Sequence, residues 1–202
     1  MKYGYLFYTI LGYLTGSMLF GRIVPLVLKG VDVEKDSTDG NPGTFNAFAC
    51  GGAFCGVLVL LLDLFKGAFP VWLCGERLGM DAWGFAFVMA APVLGHAYSF
   101  FQKGHGGKAI AVTFGVLIGL LPVWKPLAFL IFWYLLFVAV VPMRSNTRKS
   151  IYAFLAFTLT CLGFIRQKSI LAGCLLISVI VIHKHCLKAK AAYRESGEWR
   201  LE

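Results

Sequence analysis

Residues 52–74 read GAFCGVLVLLLDLFKGAFPVWLC, and this stretch decides the fold. A helix that crosses a bilayer needs about 20 mostly apolar residues. This run supplies them, interrupted only by Asp63 and Lys66, three positions apart. Working outward, the same criterion marks further apolar segments at 3–28, 82–101, 108–122, 124–141, 150–165 and 168–185. The segments 108–122 and 150–165 are short, which leaves five or six full crossings as an alternative to seven. Pro122 and Pro142 fit helix ends, and Gly51, Gly52, Gly56, Gly115 and Gly119 allow close helix approach. The expected fold is an all-α integral membrane protein of about seven transmembrane helices with short cytoplasmic glycine-rich loops. Residues 1–185 are expected to form a polytopic membrane domain and 186–202 a basic cytoplasmic tail.

Composition agrees. Apolar residues make up 58% of the 202-residue chain and charged residues 14%, where a soluble domain has about a quarter charged. The net charge of +9 suits the bilayer better than nucleic acid, since no basic helix or stacking motif in a soluble context accompanies it. Cys50, Cys55, Cys74, Cys161, Cys174 and Cys186 form no CxxC pair and read as small apolar fillers, with no metal site implied. Met1 to Pro25 is too long an apolar stretch for a secretory signal and reads as a retained first span. No internal repeat supports an inverted-repeat transporter.

With seven spans, the loops around 30–50, 102–108 and 142–149 and the tail from 184 share one side. That side carries Lys29, Lys35, Lys103, Lys108, Arg144, Arg148, Lys149, Lys184, Lys188, Lys190, Arg194 and Arg200. The other side carries only Lys2, Arg77, Lys125, Arg166 and Lys168. The asymmetry places the loops on the cytoplasmic side of the membrane.

Two polar loops stand out there: Asp39-Gly40-Asn41-Pro42-Gly43-Thr44-Phe45-Asn46 and Lys103-Gly104-His105-Gly106-Gly107-Lys108. The second runs straight into an apolar helix, whose unpaired N–H groups and dipole favour an anion beside the Lys108 ammonium. It is not a Walker A loop, because Ala109 follows the lysine. A tight turn at the membrane border accounts for it equally well. In the first loop Pro42 stiffens the turn while Asn41 and Asn46 offer amide donors and acceptors. Asp63 and Lys66 can pair on one helix face, either for packing or for function. His96, Arg22, His183 and His185 gain interest only if they converge on one site. No Gly-x-Ser-x-Gly elbow, HExxH pattern or His-x4-Asp pair is present. Any reaction would therefore rest on anion binding and positioning.

In these residues the chain resembles the bacterial PlsY-type acyl-phosphate:glycerol-3-phosphate acyltransferases, seven-span enzymes of phospholipid synthesis. The family's Gly-Ser-x-x-x-Gly stands as Gly16-Ser17-Met18-Leu19-Phe20-Gly21, and its Gly-Ser-Gly-Asn-Pro-Gly-Ala-Thr-Asn as Thr38 to Asn46. Asp-x-x-Lys-Gly stands as Asp63 to Gly67, and Gly-His followed by Gly-Gly-Lys-Gly as Gly95-His96 and Gly106-Gly107-Lys108-Ala109. His183 and Gly197-Glu198 form a looser counterpart of the tail motif. The match is good over roughly 16–114 and poor beyond it.

The resemblance implies acyl transfer from a fatty acyl phosphate to glycerol 3-phosphate, giving lysophosphatidate, with no cofactor. It implies that Asn41, Gly43, Gly106, Gly107 and Lys108 hold phosphate oxygens, in a substrate site that also takes in Asp39, Gly40 and His105. Ser17, Asn46, His96 and His183 line or shape it, with His96 and His183 as candidate catalytic groups. Four positions depart from the family pattern: Asp39 for serine, Ala49 for arginine, His105 for lysine and Cys186 for asparagine. They add a carboxylate and remove positive charge. A carboxylate about 4 Å from a phosphate costs roughly 4 kcal/mol at intermediate dielectric unless a cation intervenes. Three outcomes follow: Arg144, Arg148 or Lys149 replaces the lost charge; the acceptor is a less anionic alcohol; or the chain is a non-catalytic lipid- or phosphate-binding relative.

Overall fold

The computed structural model describes residues 2–143 and 145–196, all of whose regular structure is helical. Arg144 and the Gly197-Glu198 pair lie outside the described residues. The helices are α1 (Lys2–Gly16), α2 (Phe20–Lys29), α3 (Val33–Asp36), α4 (Thr44–Leu78), α5 (Gly84–Ala97), α6 (Ile110–Ile118), α7 (Lys125–Leu135), α8 (Asn146–Phe164) and α9 (Lys168–Ser196). A wider π-type turn, Leu136–Val140, extends α7.

Each apolar segment marked in the sequence overlaps a helix, 3–28 overlapping both α1 and α2, but the lengths differ. Among the described residues, α4 and the part of α9 from Lys168 to Lys190 are long and apolar enough to cross a membrane alone. A third crossing results if α1 and α2, bent by 41° at their junction, count as one broken span. Helix α6, with 9 residues, reaches only about 14 Å of the roughly 30 Å hydrocarbon core.

Local chemistry explains the two breaks that matter for the site. At the α1–α2 junction the Ser17 Oγ donates to Tyr13 O at 2.7 Å and accepts the Phe100 N–H at 3.1 Å. The Met18 carbonyl instead receives the Lys66 ammonium at 2.6 Å. In α4 the backbone at Gly52 has φ 82° and ψ 176°, a combination open in practice only to glycine. This kink separates a short leading segment, which carries Asn46, from the long apolar run that begins where the sequence placed the span.

The elements pack closely. A side chain at Gly16 would strike the Pro92 backbone, and one at Gly95 would strike the Tyr13 carbonyl, so α1 and α5 touch main chain to main chain. Phe85, Met89, Val112, Leu117, Phe154, Phe157 and Ile177 fill the interior. Phe54, Phe65, Phe87, Phe132, Leu159 and Val179 face outward and are exposed. An apolar outer wall over helices that satisfy their own backbone bonds is what a hydrocarbon solvent requires.

Candidate active site

Loops at one end of the bundle build a cleft. Arg22 on α2 pairs with Glu34 at 2.9 Å and Asp32 at 3.5 Å, and donates to Gln102 Oε1 at 2.9 Å. It therefore ties α3 to the second glycine loop. In the first loop, Asn46 reaches back from the start of α4. Its Nδ2 donates to Asp39 Oδ1 at 2.6 Å, Asn41 O at 2.9 Å and Ser37 Oγ at 3.2 Å. The Asn41 N–H also meets Asp39 Oδ1 at 3.2 Å, forming an Asx turn. Gly43 N donates to Asn41 O at 2.8 Å, so its N–H is engaged within the loop.

The second loop is fixed from beneath. Ser99 Oγ donates to Ser17 O at 2.6 Å, and Gly107 N donates to His96 O at 2.9 Å. A side chain on Gly107 would run into the His96 ring. That ring is buried, with Nδ1 2.9 Å from Lys66 Nζ, which in turn contacts Asp63 Oδ1 at 2.7 Å. Neither Asp63 oxygen has a further hydrogen bond among the described residues. The Asp63–Lys66 pair expected from sequence thus exists, and it braces His96 and the α1–α2 break rather than opening to the cleft.

The loops meet at one ion pair. Lys108 Nζ donates to Asp39 Oδ2 at 2.9 Å across 69 positions of sequence. The carboxylate expected to repel an anion therefore carries its own cation. Burial acts to raise the Asp39 pKa, but hydrogen bonds from Lys108 and Asn46 outweigh it and hold the group below the ordinary carboxylate value. A depressed pKa contributes stability that is present above the unfolded value of about 3.9 and is lost as pH falls through the folded one. Asp39→Asn should therefore flatten part of the acid limb in a plot of melting temperature against pH. An unchanged acid limb would show that the pair contributes nothing to holding the loops.

A cleft of about 570 Å³ opens beside this junction, lined by Glu34, Gly40, Pro42, Phe101, Gln102, Lys103, Gly104, His105, Gly106, Lys184 and Lys188. Of the residues expected from sequence, Gly40, His105 and Gly106 line it directly. Asn41 touches it through Lys188, whose Nζ donates to Asn41 Oδ1 at 3.2 Å. Ser17, Asn46, Gly107 and His96 support the loops from behind. His183 lies outside the lining, exposed, with Nδ1 2.8 Å from Tyr98 OH.

The charge expected from the 142–149 loop does not come from its described residues. Arg148 is exposed and outside the lining, and Lys149 donates to Val138 O at 3.1 Å. Lys184 and Lys188 of α9 supply cations instead, because α9 runs without a break through residue 185. Arg22, which gained interest only if it converged on a shared site, does so through Gln102 and Glu34, whereas Gln102 was missed as a site builder. The signal of Gln102 in the sequence was only polarity beside the loops.

Known proteins match the chain along nearly all of its length. The family model described as glycerol-3-phosphate acyltransferase matches residues 6–193. The glycerol-3-phosphate acyltransferase of Aquifex aeolicus is 32% identical over 184 residues, covering 89% of this chain and 91% of the relative. That of Solidesulfovibrio magneticus is 33% identical over 199 residues, covering 96% and 95%. The fold matches the crystal structure of PlsY, an integral membrane glycerol 3-phosphate acyltransferase, in its glycerol 3-phosphate form. The TM-score is 0.79 and the identity 30%, with 96% of this chain and 92% of that one covered. Its lysophosphatidic acid form matches with a TM-score of 0.78. By sequence and by structure, this all-helical membrane protein belongs to the glycerol-3-phosphate acyltransferase family.

Proposed function

We propose that the protein transfers a fatty acyl group from acyl phosphate to glycerol 3-phosphate, giving lysophosphatidate, at the cytoplasmic face of a bacterial cell membrane. The observation that carries this reading is the meeting of the two glycine loops at Lys108, beside a cation-lined cleft. The names of the relatives and the glycerol 3-phosphate and lysophosphatidic acid forms of the solved neighbour support it. The Asp39–Lys108 pair removes the electrostatic reason for preferring a less anionic acceptor.

Phosphate is a good leaving group, so the acceptor hydroxyl oxygen attacks the acyl carbonyl carbon directly. The carbonyl–phosphate C–O bond then breaks, and the hydroxyl proton leaves with the departing phosphate or to water. The protein's part is to position two anions and neutralise their charge. Lys108, Gly106 and Asn41 hold the donor phosphate. Ser17, Asn46, Gly43, Gly107 and His96 keep the loops in shape, and His183 stands at the rim through Tyr98. The acyl chain lies along the apolar wall. Up to seven crossings, with residues 1–185 in the membrane and loops 30–50 and 102–108 and the basic C-terminal segment in the cytoplasm, fit the distribution of lysine and arginine.

The test is phosphate release from acyl phosphate by purified protein in detergent, with glycerol 3-phosphate or a panel of neutral alcohols as acceptor. Release that requires glycerol 3-phosphate is the expected result. Equal release with glycerol would point to the altered acceptor, and none with any acceptor to a non-catalytic relative.

A further inference from the structure

The cleft holds more positive charge than its surroundings balance. Glu34, the carboxylate in its lining, is already paired with Arg22 at 2.9 Å. Lys184 and Lys188 are one turn apart on α9 and therefore share a face, where like charges repel. Lys184 is only 7% exposed, with Nζ 4.5 Å from the centre of the Tyr98 ring. Lys188 is half-buried, and its hydrogen-bond acceptor among the described residues is the neutral Asn41 Oδ1 at 3.2 Å, with Asp39 and Glu34 acting on it from beyond ion-pair distance. Among the described residues, neither ammonium lies within ion-pair distance of a carboxylate. Buried, mutually repelling cations are costly unless an anion completes them. Ala49, on the leading part of α4, brings no charge to the loop.

We propose that Lys188, together with Lys184, binds the phosphate of the acceptor, separately from the donor phosphate at Lys108. This rests on the acyl-transfer reading above. A phosphate monoester carries about −1.5 to −2 charges near neutral pH, which matches two ammonium groups. Asn41 orients one of them: its Oδ1 accepts from Lys188 while its carbonyl is held by Asn46. The two anions then approach the loop from different elements, the donor from the start of α6 and the acceptor from α9. That separation lets the acceptor hydroxyl face the acyl carbonyl.

Steady-state kinetics of the full-length protein test this. Lys188→Ala should raise the KM for glycerol 3-phosphate at least about tenfold, the scale of one charge-assisted hydrogen bond. The KM for acyl phosphate should stay within about twofold, and Lys188→Arg should recover most of the loss. The preference for glycerol 3-phosphate over glycerol should shrink in the alanine variant. An unchanged KM for glycerol 3-phosphate in both Lys188→Ala and the Lys184→Ala/Lys188→Ala double variant would overturn the assignment. So would an equal rise in the acyl phosphate KM. Failure of the acyl-transfer reading looks different, because the wild type itself would then release no phosphate in response to glycerol 3-phosphate. Even in that case, glycerol 3-phosphate should raise the melting temperature of the wild type and not of Lys188→Ala; equal shifts in both would count against the site.

Discussion

Lys108→Ala is expected to lower turnover with acyl phosphate about a hundredfold or more, the usual cost of removing one fixed donor aimed at developing negative charge. The lysine ends the second glycine loop, two residues before α6 begins at Ile110. Its ammonium therefore stands where the first N–H groups of that helix already favour an anion. The variant should still fold. The Asp39–Lys108 pair is partly solvated, with side-chain exposures of 41% and 20%, and pairs of that kind contribute at most about 1 kcal/mol. Removing the ammonium also leaves Asp39 uncompensated beside the substrates. Asp39→Asn/Lys108→Ala should therefore recover part of what the single variant loses. Phosphate-release kinetics alongside melting curves in detergent would check both points. A single variant within twofold of wild type would take Lys108 out of the donor site.

Lys66→Met is expected to damage the fold itself. Lys66 and Asp63 are 3% and 1% exposed, 2.7 Å apart, and the lysine also donates to Met18 O at 2.6 Å. Removing it leaves a buried carboxylate without its cation, a change that costs about 3–5 kcal/mol, a large share of a typical folding free energy. The melting temperature in detergent and the yield of folded protein should both drop. Asp63→Leu/Lys66→Met, which removes both charges, should regain most of the stability, because apolar replacement of a buried pair is often neutral or favourable. It should not regain full activity, since the His96 ring would lose its anchor beneath Gly107. A single variant as stable as wild type would show that the pair is dispensable.

The sequence showed as much of this as local patterns can carry. Hydropathy found every apolar helix and started the long span at residue 52, but Gly52, read as a close-approach residue, faces open space and serves the kink instead. The glycine loops announced themselves, and the Asp63–Lys66 spacing predicted a pair that forms. Asp39 was read as a liability because its partner lies 69 positions away, and no local pattern reports such a contact. Gly43 and Gly107 looked like open anion donors, yet their N–H groups are spent on Asn41 and His96 inside the loops. Lys188 was hidden for another reason. A lysine just past an apolar run reads as a border charge, and only the return of α9 along α5 brings it to the cleft.

The Asp39–Lys108 contact also makes the chain its own competitor. A tethered carboxylate has an effective concentration set by the loops, which dilution cannot lower. Every dissolved anion that reaches Lys108 meets a seat already taken, and its apparent affinity is reduced by the fraction of time that seat is filled. Sulfate and inorganic phosphate in a buffer face the same contest. The measured appetite for acyl phosphate should therefore depend less on what else is dissolved than in a relative with serine at that position, because the tether weakens every competing anion by the same factor.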